Sequence, residues 1–133
     1  MPMIDYHIIR EFLRMGCIKV DDQALRTSLL KKEPVDPVIE RQMRDLCINI
    51  IMTLRKETGR STMAVDNLLW GHARSYCRHA PVCISGNQPE STSFNEFTAT
   101  KFHENCPFQA WCPGAKDPAY RDLWEPMTGT ENY

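Results

Sequence analysis

The sequence predicts an all-α fold, and three observations predict it. Apolar residues recur at helical spacing in four successive segments. Residues that cap or stop helices, among them Asp5, Gly16, Asp36 and Gly59, bracket those segments. Four cysteines near the C-terminal end then form a C-x5-C-x22-C-x5-C pattern, the mark of a ligand-binding loop on a small helical domain. The 133 residues, 42% hydrophobic and 25% charged, suit one domain large enough to bury a helical core. No stretch approaches the ~20 apolar residues of a membrane span, so no membrane partner is expected. A formal net charge of −1 carries no global nucleic-acid signature, which leaves room only for a local DNA-binding surface.

The first segment, from Met3 to Gly16, reads as a helix with Ile8, Phe12 and Met15 on one face and Gly16 as its stop. Asp5 stands at the N-cap, where a carboxylate accepts hydrogen bonds from free backbone N–H groups and sits favourably in the helix dipole. A second, shorter helix is predicted from Asp21 to Lys32, capped by Asp21 or Asp22, with Leu25 and Leu29 inward. Glu33-Pro-Val-Asp-Pro37 breaks it. Asp36 then caps a third helix with Pro37 in its first position. Its stripe of Ile39, Met43, Leu46, Cys47, Ile50, Ile51 and Leu54 reads as core, and Gly59 ends it. Cys47 and Cys17 read as small buried hydrophobes, because neither shares the paired spacing of the other four cysteines.

Ser61 or Thr62 caps the fourth helix, whose inner face is Val65, Leu68, Leu69, His72, Ala73 and Tyr76. His72 reads first as a hydrogen-bonded interior or boundary histidine, with metal ligation or proton transfer as the lesser reading. The helix delivers Cys77, and Pro81 turns the chain toward Cys83. The insertion 84–105 is polar, with Phe94, Phe97 and Phe102 interleaved; it reads as a solvated loop, or as a partner- or base-contacting one. After residue 113 a tail, 114–133, carries Tyr120, Leu123 and Trp124 in a first half able to pack back, while Thr128 to Tyr133 reads as frayed. No phosphate-cradling glycine loop and no Ser/His/Asp set is evident.

Cys77, Cys83, Cys106 and Cys112 read as a metal-binding set. Disulfides need an oxidising compartment, and the first twenty residues carry Asp5, Arg10, Glu11, Arg14 and Lys19 in place of a signal-peptide core. A reducing, cytoplasmic location is therefore expected. Structural zinc usually uses paired knuckles with two to four residues between cysteines, and both short loops here hold five. An iron–sulfur cluster is larger than one ion and takes four thiolates at wider spacing. The cluster ranks first and zinc second.

The segment Leu68-Leu-Trp-Gly-His-Ala-Arg-Ser-Tyr-Cys77, with Pro81-Val-Cys83 and Cys106-Pro-Phe-Gln-Ala-Trp-Cys112, resembles the C-terminal cluster loop of the endonuclease III and MutY branch of helix–hairpin–helix DNA glycosylases. Ile4-Asp-Tyr-His-Ile-Ile-Arg10 is similar to the family's stretch around its catalytic aspartate. The two motifs stand in the family order, and the resemblance extends over residues 2 to 83 and 106 to 113. The departure is the 22-residue gap between Cys83 and Cys106, far longer than the family's. Closing a longer loop costs only about 0.6 kcal/mol per doubling of length, so ligation can survive the insertion.

The resemblance implies a [4Fe-4S] cluster on the four cysteines, Asp5 as the catalytic carboxylate, and Arg78 and His79 as phosphate-contacting residues. It implies DNA as substrate, with the target nucleotide leaving the stack for a pocket before N-glycosidic cleavage. The family's hairpin and its nucleophilic lysine lie upstream of the aspartate. A chain beginning at Met1 is therefore expected to depend on a protein partner for that half, in DNA repair or DNA modification. The alternative expectation is a non-catalytic module, held together by a cluster or by zinc, that docks on protein or DNA.

Overall fold

A nine-residue helix, α1 (Tyr6–Arg14), is the element around which the others pack in the computed structural model, which describes residues 2–84, 87–89 and 105–129. Every residue from Ile8 to Arg14 is buried, so this helix is covered on all sides. Its apolar residues Ile8, Ile9, Phe12 and Leu13 are at most 1% exposed. The same stretch buries Arg10, Glu11 and Arg14, and buried charges must be paired. Those pairings build the site described below.

The other helices follow their local signals. α2 (Gln23–Lys31) is capped by Asp22, whose side chain accepts from the Leu25 N–H, and ends at Lys32 in a left-handed conformation. α3 (Pro37–Thr58) begins with Asp36 accepting from the Val38 N–H and Pro37 in the first turn, and ends at Gly59 with φ +68°. α4 (Thr62–Ser75) is capped by Ser61, which accepts from the Ala64 N–H. Two single turns, α5 (Pro113–Lys116) and α6 (Pro118–Arg121), follow the second pair of cysteines. α1 packs against α3, α4 and α6, and α3 packs against α4. Among the described residues there is no strand; the nearest approach is an isolated parallel bridge between Pro34 and Met127. The fold is all-α.

One core cluster joins Ile8, Ile9, Phe12 and Leu13 to Leu29, Met43, Cys47, Ile51, Val65 and Leu69. Leu123, 1% exposed, belongs to the same cluster, and Tyr120 packs against it. A smaller cluster of Tyr76 and Val82, with Leu68 and Cys106 against it, lies under the cysteine loops.

Two expectations for the core are corrected. Leu46 is 46% exposed. The buried line on α3 runs through Glu40, Met43, Cys47 and Ile51. Leu46 precedes Cys47 by one residue and so points about 100° around the helix from it, away from α1 and α4. Cys47 is fully buried as expected, but Cys17 is exposed. Gly16, at φ +72°, turns the chain so that Ile18 enters the core while Cys17 faces outward. The phenylalanines Phe94, Phe97 and Phe102 lie outside the described residues, as do residues 130–133 of the tail.

Candidate functional site

The four paired cysteines line one cavity. α4 ends at Ser75, and the N–H groups of Tyr76 and Cys77 both donate to the His72 carbonyl, which brings Cys77 inward at the helix end. The Val82 N–H donates to the Tyr76 carbonyl at 3.0 Å and closes the first short loop. In the second, Gln109 N–H returns to the Cys106 carbonyl and Cys112 N–H to the Phe108 carbonyl, folding Cys106 to Cys112 into compact turns. Cys77, Cys83, Cys106 and Cys112 then line one small cavity, partly open to solvent, with His72 and Phe108 in its wall. Cys77 is buried and the other three are half-buried. Among the described residues, no three His, Cys, Asp or Glu groups gather closely enough to hold a single metal ion.

α1 holds this cavity from beneath with the charged residues it buries. Nη1 of Arg14 donates to the carbonyls of Cys77, at 3.3 Å, and Arg78, and Nη2 donates to that of His79 at 3.3 Å. One guanidinium thus grips three consecutive carbonyls of the first cysteine loop, and its Nη1 also lies 3.8 Å from the Cys77 sulfur. Arg10 donates from Nε to the Cys77 carbonyl at 3.3 Å and from Nη1 to Glu125 at 3.0 Å. On the far side, Gly114 sits so close to α1 that a Cβ there would come within 2.9 Å of the Arg14 carbonyl oxygen. Cys112 reaches the same carbonyl, its Sγ 3.7 Å away.

Glu11 and His72 form the third link. A Glu11 carboxylate oxygen is hydrogen-bonded to Nδ1 of His72, and Nε2 of His72 lies 3.3 Å from the Cys106 sulfur. Burial works against a charged His72, but Glu11 and Cys106 outweigh it and raise its pKa to about 9. Burial raises the Glu11 carboxyl, against the pull of His72. Burial also pushes the Cys77 thiol up to about 12, opposed by Arg14, and raises Cys83 and Cys112. Thiols so protected from ionisation are bound as thiolates only when a cation takes the proton's place.

Asp5 lies at the opposite end of α1. Its Oδ1 accepts from the backbone N–H groups of His7, at 2.9 Å, and Ile8, at 3.3 Å. Oδ2 accepts from the indole N–H of Trp70 at 2.8 Å. Asp5 is therefore an N-cap, and it also lines an open pocket with Met3, Ile4, Asp66, Asn67 and Trp70, whose atom-free space is about 650 Å³. Burial raises the Asp66 carboxyl there, with the Met3 backbone opposing and Asp5 adding. The guanidinium of Arg74 lies 4.6 Å from the centre of the Trp70 ring.

Arg78 and His79 sit in the first cysteine loop, and both are engaged by their own chain. Arg78 Nη2 donates to the Gln88 carbonyl. His79 is exposed, lies with its ring tilted against that of Trp124 at 4.2 Å between centroids, and has Nε2 3.5 Å from Glu125. Sequence reasoning did not single out Arg10, Glu11 and Arg14. The sequence carries no signal for them: with His7 they form the polar face of an amphipathic helix opposite Ile8, Ile9, Phe12 and Leu13, and only the packing of the rest of the chain buries that face. No family model, curated protein or solved structure matches the chain.

Proposed function

We infer that this chain is a DNA glycosylase-like, [4Fe-4S]-binding DNA-processing protein, acting in base excision or base modification with a partner subunit that supplies the hairpin half. The observation that carries the reading is the convergence of Cys77, Cys83, Cys106 and Cys112 on one cavity. What supports a negatively charged group there is that cationic or N–H-bearing side chains approach two of the sulfurs, Arg14 at Cys77 and His72 at Cys106. Thiolates bearing a cluster carry net negative charge, which Arg14 and His72 offset. Bound there, the cluster supplies a covalent staple between the two short loops.

In this reading α1 connects two ends with different tasks. Arg14 holds the first loop so that Arg78 and His79 meet a DNA phosphate. Asp5 faces the open pocket, where its carboxylate stabilises cationic character at the sugar as the base departs, or helps activate the attacking nucleophile. Trp70 and the backbone N–H groups of the first turn fix its orientation. The protein works in a reducing, cytoplasmic setting in which its thiols remain available for the metal.

Iron, acid-labile sulfide and zinc content of protein purified without oxygen tests the reading, with Cys106→Ser as control. Roughly four iron and four sulfide per chain, lost in the variant, supports it. One zinc without sulfide overturns it.

A second reading is a non-catalytic, metal-stabilised binding module. It is favoured by the groove between the end of α3 and the start of α4, lined by Leu54, Ala64, Val65 and Leu68, with Met63 71% exposed beside it. The two readings separate on Asp5→Asn in the assembled complex: loss of base-processing activity with metal content intact belongs to the first, and unchanged partner or DNA binding without any such activity belongs to the second.

A further inference from the structure

Of the two carboxylates in the open pocket at the start of α1, one is fully engaged and the other is not. On α4, Val65 and Leu69 face the core, and Asp66 and Trp70, also four residues apart, form the adjoining stripe that lines the pocket with Asp5. Oδ2 of Asp5 is occupied by the Trp70 indole N–H at 2.8 Å, and Oδ1 by the first turn of α1. Asp66 differs. Its Oδ1 is shielded from solvent and has no hydrogen-bond partner among the described residues. Burial raises the carboxyl, opposed by the Met3 backbone and reinforced by Asp5. Leaving a buried acceptor unmade costs free energy, which an arriving N–H donor offsets. The terminal torsion of an aspartate is broad, so the carboxylate can turn to meet that donor.

The rest of the lining narrows the donor's chemistry. Met3, Ile4 and the half-buried indole of Trp70 supply apolar and aromatic surface, which suits a planar ring better than a hydrated ion. Beside Asp66, the Asn67 amide adds an acceptor and two donor hydrogens in one plane, the arrangement that reads the edge of an amino-bearing base. Among the described residues that line the pocket there is no lysine or arginine, so a phosphate has no partner inside it. Arg74, 4.6 Å from the centre of the Trp70 ring, stands outside that lining.

We propose that this pocket admits a nucleobase carrying an exocyclic amino group, with Asp66 and Asn67 as the specificity-determining residues and Trp70 as the surface the ring packs on. This rests on the base-processing reading given above and names the kind of base it takes. A base that lacks the amino group leaves Asp66 unsatisfied, and one with a keto oxygen in its place sets acceptor against acceptor.

The test is a titration of the anaerobically purified full chain with nucleosides, followed by NMR on the Trp70 indole N–H signal, which Trp70→Phe assigns among the three tryptophans. Two pairs differ only in the amino group: 2′-deoxyadenosine against purine 2′-deoxyriboside, and 2′-deoxycytidine against its 2-pyrimidinone counterpart. In at least one pair the amino member is expected to bind about tenfold more tightly, within the discrimination that a good base-edge contact supplies. Asp66→Asn has the same shape and is expected to keep the fold but erase that preference, because an amide presents a donor as readily as an acceptor. Asn67→Ala should weaken binding of the preferred nucleoside severalfold. Equal affinities in both pairs, a preference that survives Asp66→Asn, or no shift with any nucleoside overturns the assignment. An equal shift with ethylammonium also overturns it, since that marks a simple cation site. A single-stranded oligonucleotide bearing the preferred base separates the sources: a shift of the same indole signal assigns the pocket to a base in DNA, and nucleoside binding without that shift assigns it to a free nucleoside. Iron and sulfide measured on each sample keep the two readings apart. Cluster-loaded protein that binds no nucleoside overturns the pocket assignment and leaves the cluster standing; the nucleoside preference in protein without iron and sulfide does the reverse.

Discussion

The Arg14 guanidinium lies 3.3 Å from the carbonyl oxygen of Cys77 and 3.8 Å from its sulfur, across 63 residues of sequence. Because the same group also serves the Arg78 and His79 carbonyls, its loss strands several buried acceptors at once. Arg14→Met is expected to destabilise the protein by about 3–5 kcal/mol, as breaking buried charged networks does. Arg14→Lys should recover little, since an ammonium cannot reproduce the guanidinium fork. Urea unfolding midpoints of the three proteins check this; a Lys variant as stable as the parent would show that charge alone suffices.

Asp5 has two jobs that substitution can separate. Asn is as good an N-cap as Asp, so Asp5→Asn retains the cap but offers one carbonyl oxygen in place of two, and loses a bond either to the backbone or to Trp70. A cost of about 1 kcal/mol is expected. Asp5→Ala loses both and should cost about 2–3 kcal/mol, summing a cap and a hydrogen bond. Thermal denaturation orders the variants. In the proposed complex, both abolish base processing while iron content stays at the wild-type level.

Gly114 is required by contact. A methyl group there meets the Arg14 carbonyl oxygen at 2.9 Å, and neither backbone can retreat without moving Cys112 or the end of α1. Gly114→Ala is expected to cost about 1–3 kcal/mol, the usual range for overpacking, and to lower metal content through Cys112. Gly129 has nothing within 4 Å of a built Cβ but has φ +79°, so Gly129→Ala should cost only the conformational penalty, about 1 kcal/mol, and leave metal content unchanged.

His7 gives the stability an acid-side dependence. Burial lowers its pKa from 6.5, opposed by Asp5 and reinforced by Arg10, whose Nη2 donates to Nδ1 at 3.0 Å. The unfolded chain thus binds the proton more readily than the folded one. Its contribution to stability therefore rises with pH through the interval below 6.5 and is lost as pH falls through it. His79 shifts the same way, mainly through burial, and contributes in the same sense. His72, raised to about 9, and Glu11, also raised, act in the opposite sense as pH climbs, so the contribution of His7 is read by difference: between pH 5 and 6.5 the parent should lose more unfolding free energy on acidification than His7→Gln does. An equal loss in the two proteins would assign the acid-side effect to His79.

Much of the fold was legible because it is local. Asp5, Asp22, Asp36 and Ser61 each place an acceptor within three residues of a free backbone N–H, and Gly16 and Gly59 each adopt a positive φ. Capping chemistry acts over one turn, so the sequence carries it in full. The width of the buried stripe on α3 was not local. Leu46 satisfies the apolar pattern as well as Met43 does, and only the positions of α1 and α4 decide which is covered. Cys17 failed for a related reason, since the direction of its side chain depends on the left-handed turn at Gly16 and on what already fills the core.

By itself the sequence determined four helices, their caps and the pairing of cysteines in two short loops, because each rests on spacings of a few residues. Tertiary structure alone decided that the four cysteines share one cavity, that Trp70 meets Asp5, and that Glu11 meets His72 across 61 residues. It also decided that Arg10 reaches Glu125 across 115 residues. The physical reason is the burial of α1 on every side. A helix with no face left for water must find partners for each charge it carries, and which partners arrive is set by the packing of the rest of the chain, not by the helix itself.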